Sequence, residues 1–205
     1  MPRLANFLFE RKLKKQGYKY IAGCDEVGCG AWAGPVFAAA IILSPKFRAK
    51  IRDSKQLSEK QRKKYYKIIK QKNKLVGLGF ATKEEIDSLG LSKAKNLATK
   101  RAIANLPQKP EYVLFDGKDI LKTFEHPYKF IIKGDEKIKS IACASIIAKV
   151  ERDRLMEKLA KKYPRYQFNK NKGYGTKKHI LTLRKYGPCK IHRFSYKPIK
   201  KFAAF

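Results

Sequence analysis

The segment Ser140 to Val150, SIACASIIAKV, is apolar nearly all round, and it constrains the fold more than any other stretch of the chain. A helix without a polar stripe has to be enclosed by other elements. Its continuation, ERDRLMEKLAKKY, is amphipathic, so one helix over Ser140 to Tyr163 is expected to start in the centre and emerge toward solvent. Short apolar runs supply strands around it: Tyr18 to Cys24, Pro35 to Leu43, Leu75 to Ala81, Tyr112 to Asp116 and Phe130 to Lys133. The last two read as fully buried.

Helices are expected over Ser58 to Lys72, with serine as N-cap, and over Thr82 to Asp87, where Thr82 and Glu85 form a capping box. Ser92 to Leu106 repeats Ala and Leu at helical spacing, and Thr176 caps a last helix to Tyr186. Asn169 to Thr176 is a glycine-containing loop, and Gly187 to Phe205 reads as an irregular basic appendage. This order suits an α/β fold, one mixed five-stranded sheet with helices on its faces. The 205 residues fit a single domain, with no linker or repeat.

The charge balance points to a partner. Against 49 Lys and Arg stand only 17 Asp and Glu, a formal charge of +32, and such an excess works against compaction unless a polyanion is bound. Nucleic acid fits best. A membrane-surface role and a merely lysine-rich composition are the alternatives, the latter because Lys is spread along the whole chain.

Cys24, Cys29, Cys143 and Cys189 have no CxxC spacing, and His126, His179 and His192 are not paired at ligand spacing, which excludes a zinc ribbon or finger. Two of the cysteines lie in apolar runs, as reduced thiols of a cytoplasmic protein would. No apolar run reaches the length of a membrane span, and Met1 to Gly17 has no signal-peptide core. A soluble, monomeric protein without membrane partners is expected.

With acids so scarce, their placement carries information. Asp25 and Glu26 follow YIAGC, Asp116 follows YVLF, and Asp135 follows FIIKG, each at or just past the end of an apolar strand. If those strands are neighbours, the four carboxylates converge, and convergent like charges call for a cation between them. Oxygen ligands without His or Cys select a hard ion, Mg2+ or Mn2+. A pair of such ions about 4 Å apart serves phosphodiester hydrolysis. Asp153, flanked by Arg152 and Arg154 on the exposed half of the long helix, is read as an intrahelical ion-pair partner; Asp53, Asp119 and Glu136 sit in loops with no strand to aim them.

Five segments in order resemble the type 2 ribonucleases H, specifically the bacterial branch of ribonuclease HII. They are GCDEVGCGAWAGPV (Gly23 to Val36), DSKQLS (Asp53 to Ser58), FDG (Phe115 to Gly117), KGDEKIKSIACASIIAKVERDRLM (Lys133 to Met156), and NKGYGTKKHI with KYGPCKIHRFSYKPI (Asn171 to Ile180, Lys185 to Ile199). The resemblance implies a ribonuclease H-like fold with a core at about 18–163 and a C-terminal substrate-binding segment at about 164–205. It implies a metal-dependent endonuclease that cuts the RNA strand of RNA/DNA hybrids. It further implies nicking 5' of ribonucleotides embedded in duplex DNA, leaving 3'-hydroxyl and 5'-phosphate ends.

Carried over by motif, Asp25, Glu26, Asp116 and Asp135 fall on the four acidic metal positions, and Asp153 on a recurrent non-catalytic one. Tyr174 falls on the tyrosine that packs on the sugar at the RNA to DNA junction, and Lys55 on a phosphate-contacting lysine. Gly28 and Gly30 keep a turn whose backbone can approach a ribose. Between them stands Cys29, where the family usually has arginine, so the grip on a neighbouring phosphate is lost and preference for a single ribonucleotide is expected to weaken. A non-catalytic binding module and a resolvase or transposase core are the rival readings. The chain offers no full clamp-binding pattern, and the role of KKFAAF at its end stays open.

Overall fold

The computed structural model describes residues 4–51, 54–117 and 126–202. The all-apolar helix is where its sequence requires. Helix α6 (Lys139–Lys162) is buried at Ser140 through Ala148 and lies against strands β1 (Ile21–Val27) and β2 (Val36–Ile42). The five-stranded sheet has the order β3-β2-β1-β4-β5, with β3 at Val76–Ala81, β4 at Tyr112–Asp116 and β5 at Tyr128–Ile131. Pairings β1 with β2 and β2 with β3 are antiparallel, and β1 with β4 and β4 with β5 are parallel, so the sheet is mixed.

Helix α2 (Glu59–Lys72) packs on α6, and its predicted cap is present: Gln61 N–H donates to Ser58 Oγ and the Gln61 side chain accepts from Ser58 N–H. On the other face, α3 (Lys83–Leu89) opens with the Thr82 and Glu85 capping box, and α4 (Leu91–Ala104) covers β2 and β3. The chain continues through α5 (Gly134–Lys137), α7 (Phe168–Asn171), α8 (Lys177–Tyr186), capped by Thr176, and α9 (Lys197–Lys200).

Helix and sheet approach closely because both surfaces are made of small residues. A side chain at Gly23 would meet the Ser140 and Ile141 backbone at 2.5 Å, and one at Gly79 would meet the Ala98 carbonyl at 2.2 Å. Ala38, Ala39 and Ala40 fill the middle of β2, facing α4 and α6 alternately. Such contacts leave no room for a methyl group.

Three expectations need correction, and one helix is additional. Strand β1 runs on to Val27, since its pairing with β2 continues through Asp25, Glu26 and Val27. Strand β5 is an edge strand with partly exposed residues, not a fully buried one. Gly187 to Phe202 is no appendage: His192, Arg193 and Ile199 are buried, and Ile199 packs with Met156, Phe168 and Leu183. Helix α1 (Leu8–Lys15) has no counterpart among the expected elements; buried Glu10 accepts hydrogen bonds from Ser140 N–H and Oγ at the start of α6. Among the described residues, no helix is long and apolar enough to cross a membrane.

Candidate metal centre

Successive residues of a strand face opposite ways, and this splits the acidic pair in β1. Asp25, opposite Ala39, faces α6; Glu26, opposite Ala38, faces α4. Asp116 ends β4 on the same side as Asp25, and Asp135 sits in α5, introduced by Lys133 in the left-handed conformation. Oxygens of Asp25, Asp116 and Asp135 all lie within 4.8 Å of one another. Three of the four expected carboxylates therefore converge. Glu26 is held apart by Lys95 of α4, 2.5 Å away.

Each member of the cluster is fixed by a neighbour. Asp116 Oδ1 accepts from Gly134 N–H at 2.6 Å, and Asp135 Oδ2 accepts from Lys55 Nζ at 2.9 Å. Ser145 of α6 donates toward Asp25, and its hydroxyl lies 2.8 Å from that of Ser54. Burial, then the charge of Glu26, pushes the Asp25 carboxyl well above its ordinary range, and burial with Asp135 beside it raises Asp116. Lys95 loses basicity through burial but more than recovers it from Glu26. Carboxylates crowded in this way are short of positive charge, and three oxygen donors suit a hard divalent ion.

Beside the acids, the chain turns through Gly28, Cys29 and Gly30. Gly28 has φ +91°, and a side chain there would strike Arg152 at 2.2 Å, so only glycine fits. Arg152 has no exposed surface and ties two loops together: it donates to the Ala33, Pro35 and Lys172 carbonyls, and its guanidinium lies 5.4 Å from the Tyr174 ring. Trp32 N–H donates to Gly173 O at 2.8 Å, which adds a backbone link between the loops. Tyr174 is thus presented next to the glycine turn. The Cys29 thiol, 4.0 Å from Glu26 Oε1, is pushed up to about 11 by burial and the Glu26 charge, so it is neutral near pH 7.

A family model described as Ribonuclease HII matches residues 22–199. The chain belongs to the ribonuclease HII family. Ribonuclease HII of Bacillus licheniformis is 48% identical over 193 residues, covering 94% of this chain and 75% of that one. The Caldicellulosiruptor bescii ribonuclease HII is 47% identical over 191 residues, covering 93% and 92%. The ribonuclease H2 structure from Pyrococcus horikoshii superposes with a TM-score of 0.75 at 27% identity, over 90% of this chain and 97% of that one. The fold is ribonuclease H-like, and the chain is a type 2 ribonuclease H endonuclease.

Set against the ribonuclease HII motifs, Lys55, Gly28, Cys29, Gly30 and Tyr174 all border the acidic cluster or the loops beside it, while Asp53, Asp119 and the final residues 203–205 lie outside the described residues. Asp153 does form an intrahelical ion pair, with Lys149 four residues before it at 2.8 Å, but it and Arg152 are buried rather than on an exposed helix face. Helix α6 stays enclosed as far as Met156 because the C-terminal segment folds over it. Lys95, Ser145, Arg152, Arg193 and Tyr196 were missed. His179 and His192, thirteen residues apart, do pair, with Nε2 atoms 3.0 Å apart.

Proposed function

We propose that Asp25, Glu26, Asp116 and Asp135 are the catalytic acids of a metal-dependent ribonuclease H acting on RNA/DNA hybrids and on ribonucleotides embedded in duplex DNA. The observation that carries this reading is the convergence of three buried or half-buried carboxylates, without a matching number of cations, in a chain of formal charge +32. Asp25, Asp116 and Asp135 would hold Mg2+ or Mn2+, and Glu26, next to Asp25 in the chain, would take part only on leaving Lys95. Bound there, such ions would supply the acidity that activates a water and the charge that stabilises the leaving oxygen of a phosphodiester.

The rest falls to the protein. Glycines at 28 and 30 let the backbone reach the ribose, where N–H groups donate to the 2'-hydroxyl that marks RNA. Tyr174, on the other side, packs on a sugar and tolerates deoxyribose. Lys55 and the basic surface hold phosphates. Cleavage falls 5' of the ribonucleotide and leaves 3'-hydroxyl and 5'-phosphate ends. The chain acts as a monomeric catalytic unit of the cytoplasm, with residues 164–205 contributing to substrate binding.

The test compares an RNA/DNA hybrid, a duplex with one ribonucleotide and an all-DNA duplex, with and without Mg2+ or Mn2+. Cleavage of the first two, dependent on the ion, is the expected result. Cutting of all-DNA duplex would favour the resolvase or transposase type, and ion-independent cleavage would overturn the metal reading.

A further inference from the structure

Arg193 has no exposed surface, yet no carboxylate accompanies it among the described residues. Its Nε donates to Gly34 O at 2.9 Å, its Nη1 to Cys29 O at 3.1 Å and to Tyr196 Oη at 2.8 Å, and its Nη2 is buried without a partner among the described residues. Tyr196 Oη in turn donates to the same Cys29 carbonyl at 2.7 Å. Burying an uncompensated cation is costly. A site that needed only filling would have used an apolar side chain, so the guanidinium is retained for what it holds.

What it holds is one carbonyl of the glycine turn. A trans peptide is planar, with its C=O and the next N–H pointing opposite ways. Drawing Cys29 O inward, onto two donors, turns Gly30 N–H outward. Gly30 is exposed, and a side chain built there would meet nothing within 4 Å. The grip is on the backbone, so it does not depend on which side chain stands at position 29.

We propose that Arg193 and Tyr196 are positioning residues for ribose recognition: by fixing the Cys29 carbonyl inward they aim the Gly30 N–H at the 2'-oxygen of the ribonucleotide. The inference rests on the reading that this turn senses ribose. Removing one of the two donors lets the peptide plane rock and weakens a single hydrogen bond to substrate, while the phosphate contacts elsewhere are untouched.

The test is equilibrium binding without divalent ion, so that no turnover intervenes, to a duplex with one ribonucleotide and to the same duplex in all-DNA form. Tyr196→Phe, which keeps the ring and removes the donor, is expected to leave all-DNA affinity close to wild type and to lower the melting temperature by a few degrees, because Arg193 Nη1 loses an acceptor. Its preference for the ribonucleotide duplex should fall about 3- to 10-fold, the worth of one hydrogen bond. Arg193→Lys should reduce the preference further; if it fails to fold, Tyr196→Phe decides alone. A preference unchanged in Tyr196→Phe, or a parallel loss on both duplexes, overturns the positioning role. If wild type itself shows no preference, the ribose-reading turn falls, and this inference with it.

Discussion

Lys55 places its ammonium 2.9 Å from Asp135 Oδ2, with the lysine side chain 76% exposed and the carboxylate 3% exposed. An accessible cation thus covers a buried acid of the candidate metal centre. Exposed ends of such pairs exchange partners at little cost, because water screens the attraction.

Lys55 is therefore expected to pass from Asp135 to a substrate phosphate. Lys55→Met should weaken hybrid binding and reduce the slope of log affinity against log salt by about 1. Titrations at several salt concentrations measure this. An unchanged slope would mean that Lys55 serves only to neutralise Asp135.

Asp116 lies against Asp25 and Asp135 with its pKa raised by burial and then by Asp135. Removing its charge should relieve repulsion in the metal-free protein. Asp116→Asn is expected to melt a few degrees higher than wild type without divalent ion, since about 1 kcal/mol corresponds to roughly 2–4 °C for a chain of this size. The variant should also lose the stabilisation that Mn2+ gives wild type, lose cleavage, and keep its substrate affinity. A binding module would have no cleavage to lose.

Cys29 presents a neutral thiol beside Glu26, between the two glycines of the turn. Cys29→Arg should add a charge-assisted contact worth about 1.5–3 kcal/mol. The ratio of single-ribonucleotide to hybrid cleavage should then rise about tenfold or more. If the ratio does not move, the residue between the two glycines has no say in junction preference.

The histidine pair predicts a pH dependence of stability. His179 Nδ1 faces the Tyr174 carbonyl at 2.9 Å and must donate, which leaves its Nε2 as the acceptor for His192 Nε2–H. His192 Nδ1 then accepts from Cys189 N–H at 2.9 Å. Both rings are neutral in this arrangement, and burial followed by His179 brings His192 down to about 4 from 6.5. Between those values the unfolded chain binds a proton that the folded chain refuses, so stability is full above pH 6.5 and falls as pH drops toward 4. Denaturant midpoints at pH 7.5 and 4.5 should differ, and less so in His192→Gln. An imidazole resonance of His192 that titrates near pH 6.5 would refute the assignment.

Most of the scaffold was legible because its signals are local. Capping residues Ser58, Thr82 and Thr176 start helices where their side chains can reach backbone N–H groups. The acids at strand ends were legible too, but the orientation of Glu26 was not: the apolar run stops at Cys24, and only the pairing of β1 with β2 through Val27 assigns Asp25 and Glu26 to opposite faces. Helix α1 was hidden because it is only eight residues long, with Leu8, Phe9 and Leu13 as its apolar residues, and its one structural acid, Glu10, finds its partner Ser140 far along the chain. Arg152, Arg193 and Tyr196 were unreadable for the same reason. Their acceptors are main-chain carbonyls, which leave no mark in the order of side chains.

The glycine and alanine seam between the sheet and its two covering helices bears on how sharply the reaction centre is defined. With no long side chain between β1 and α6 at Gly23, there is no rotamer whose hopping could blur the distance from Ser145 to Asp25. The geometry of the acidic nest is inherited from the backbone itself, so heating should loosen the outer loops well before it changes the spacing of the carboxylates.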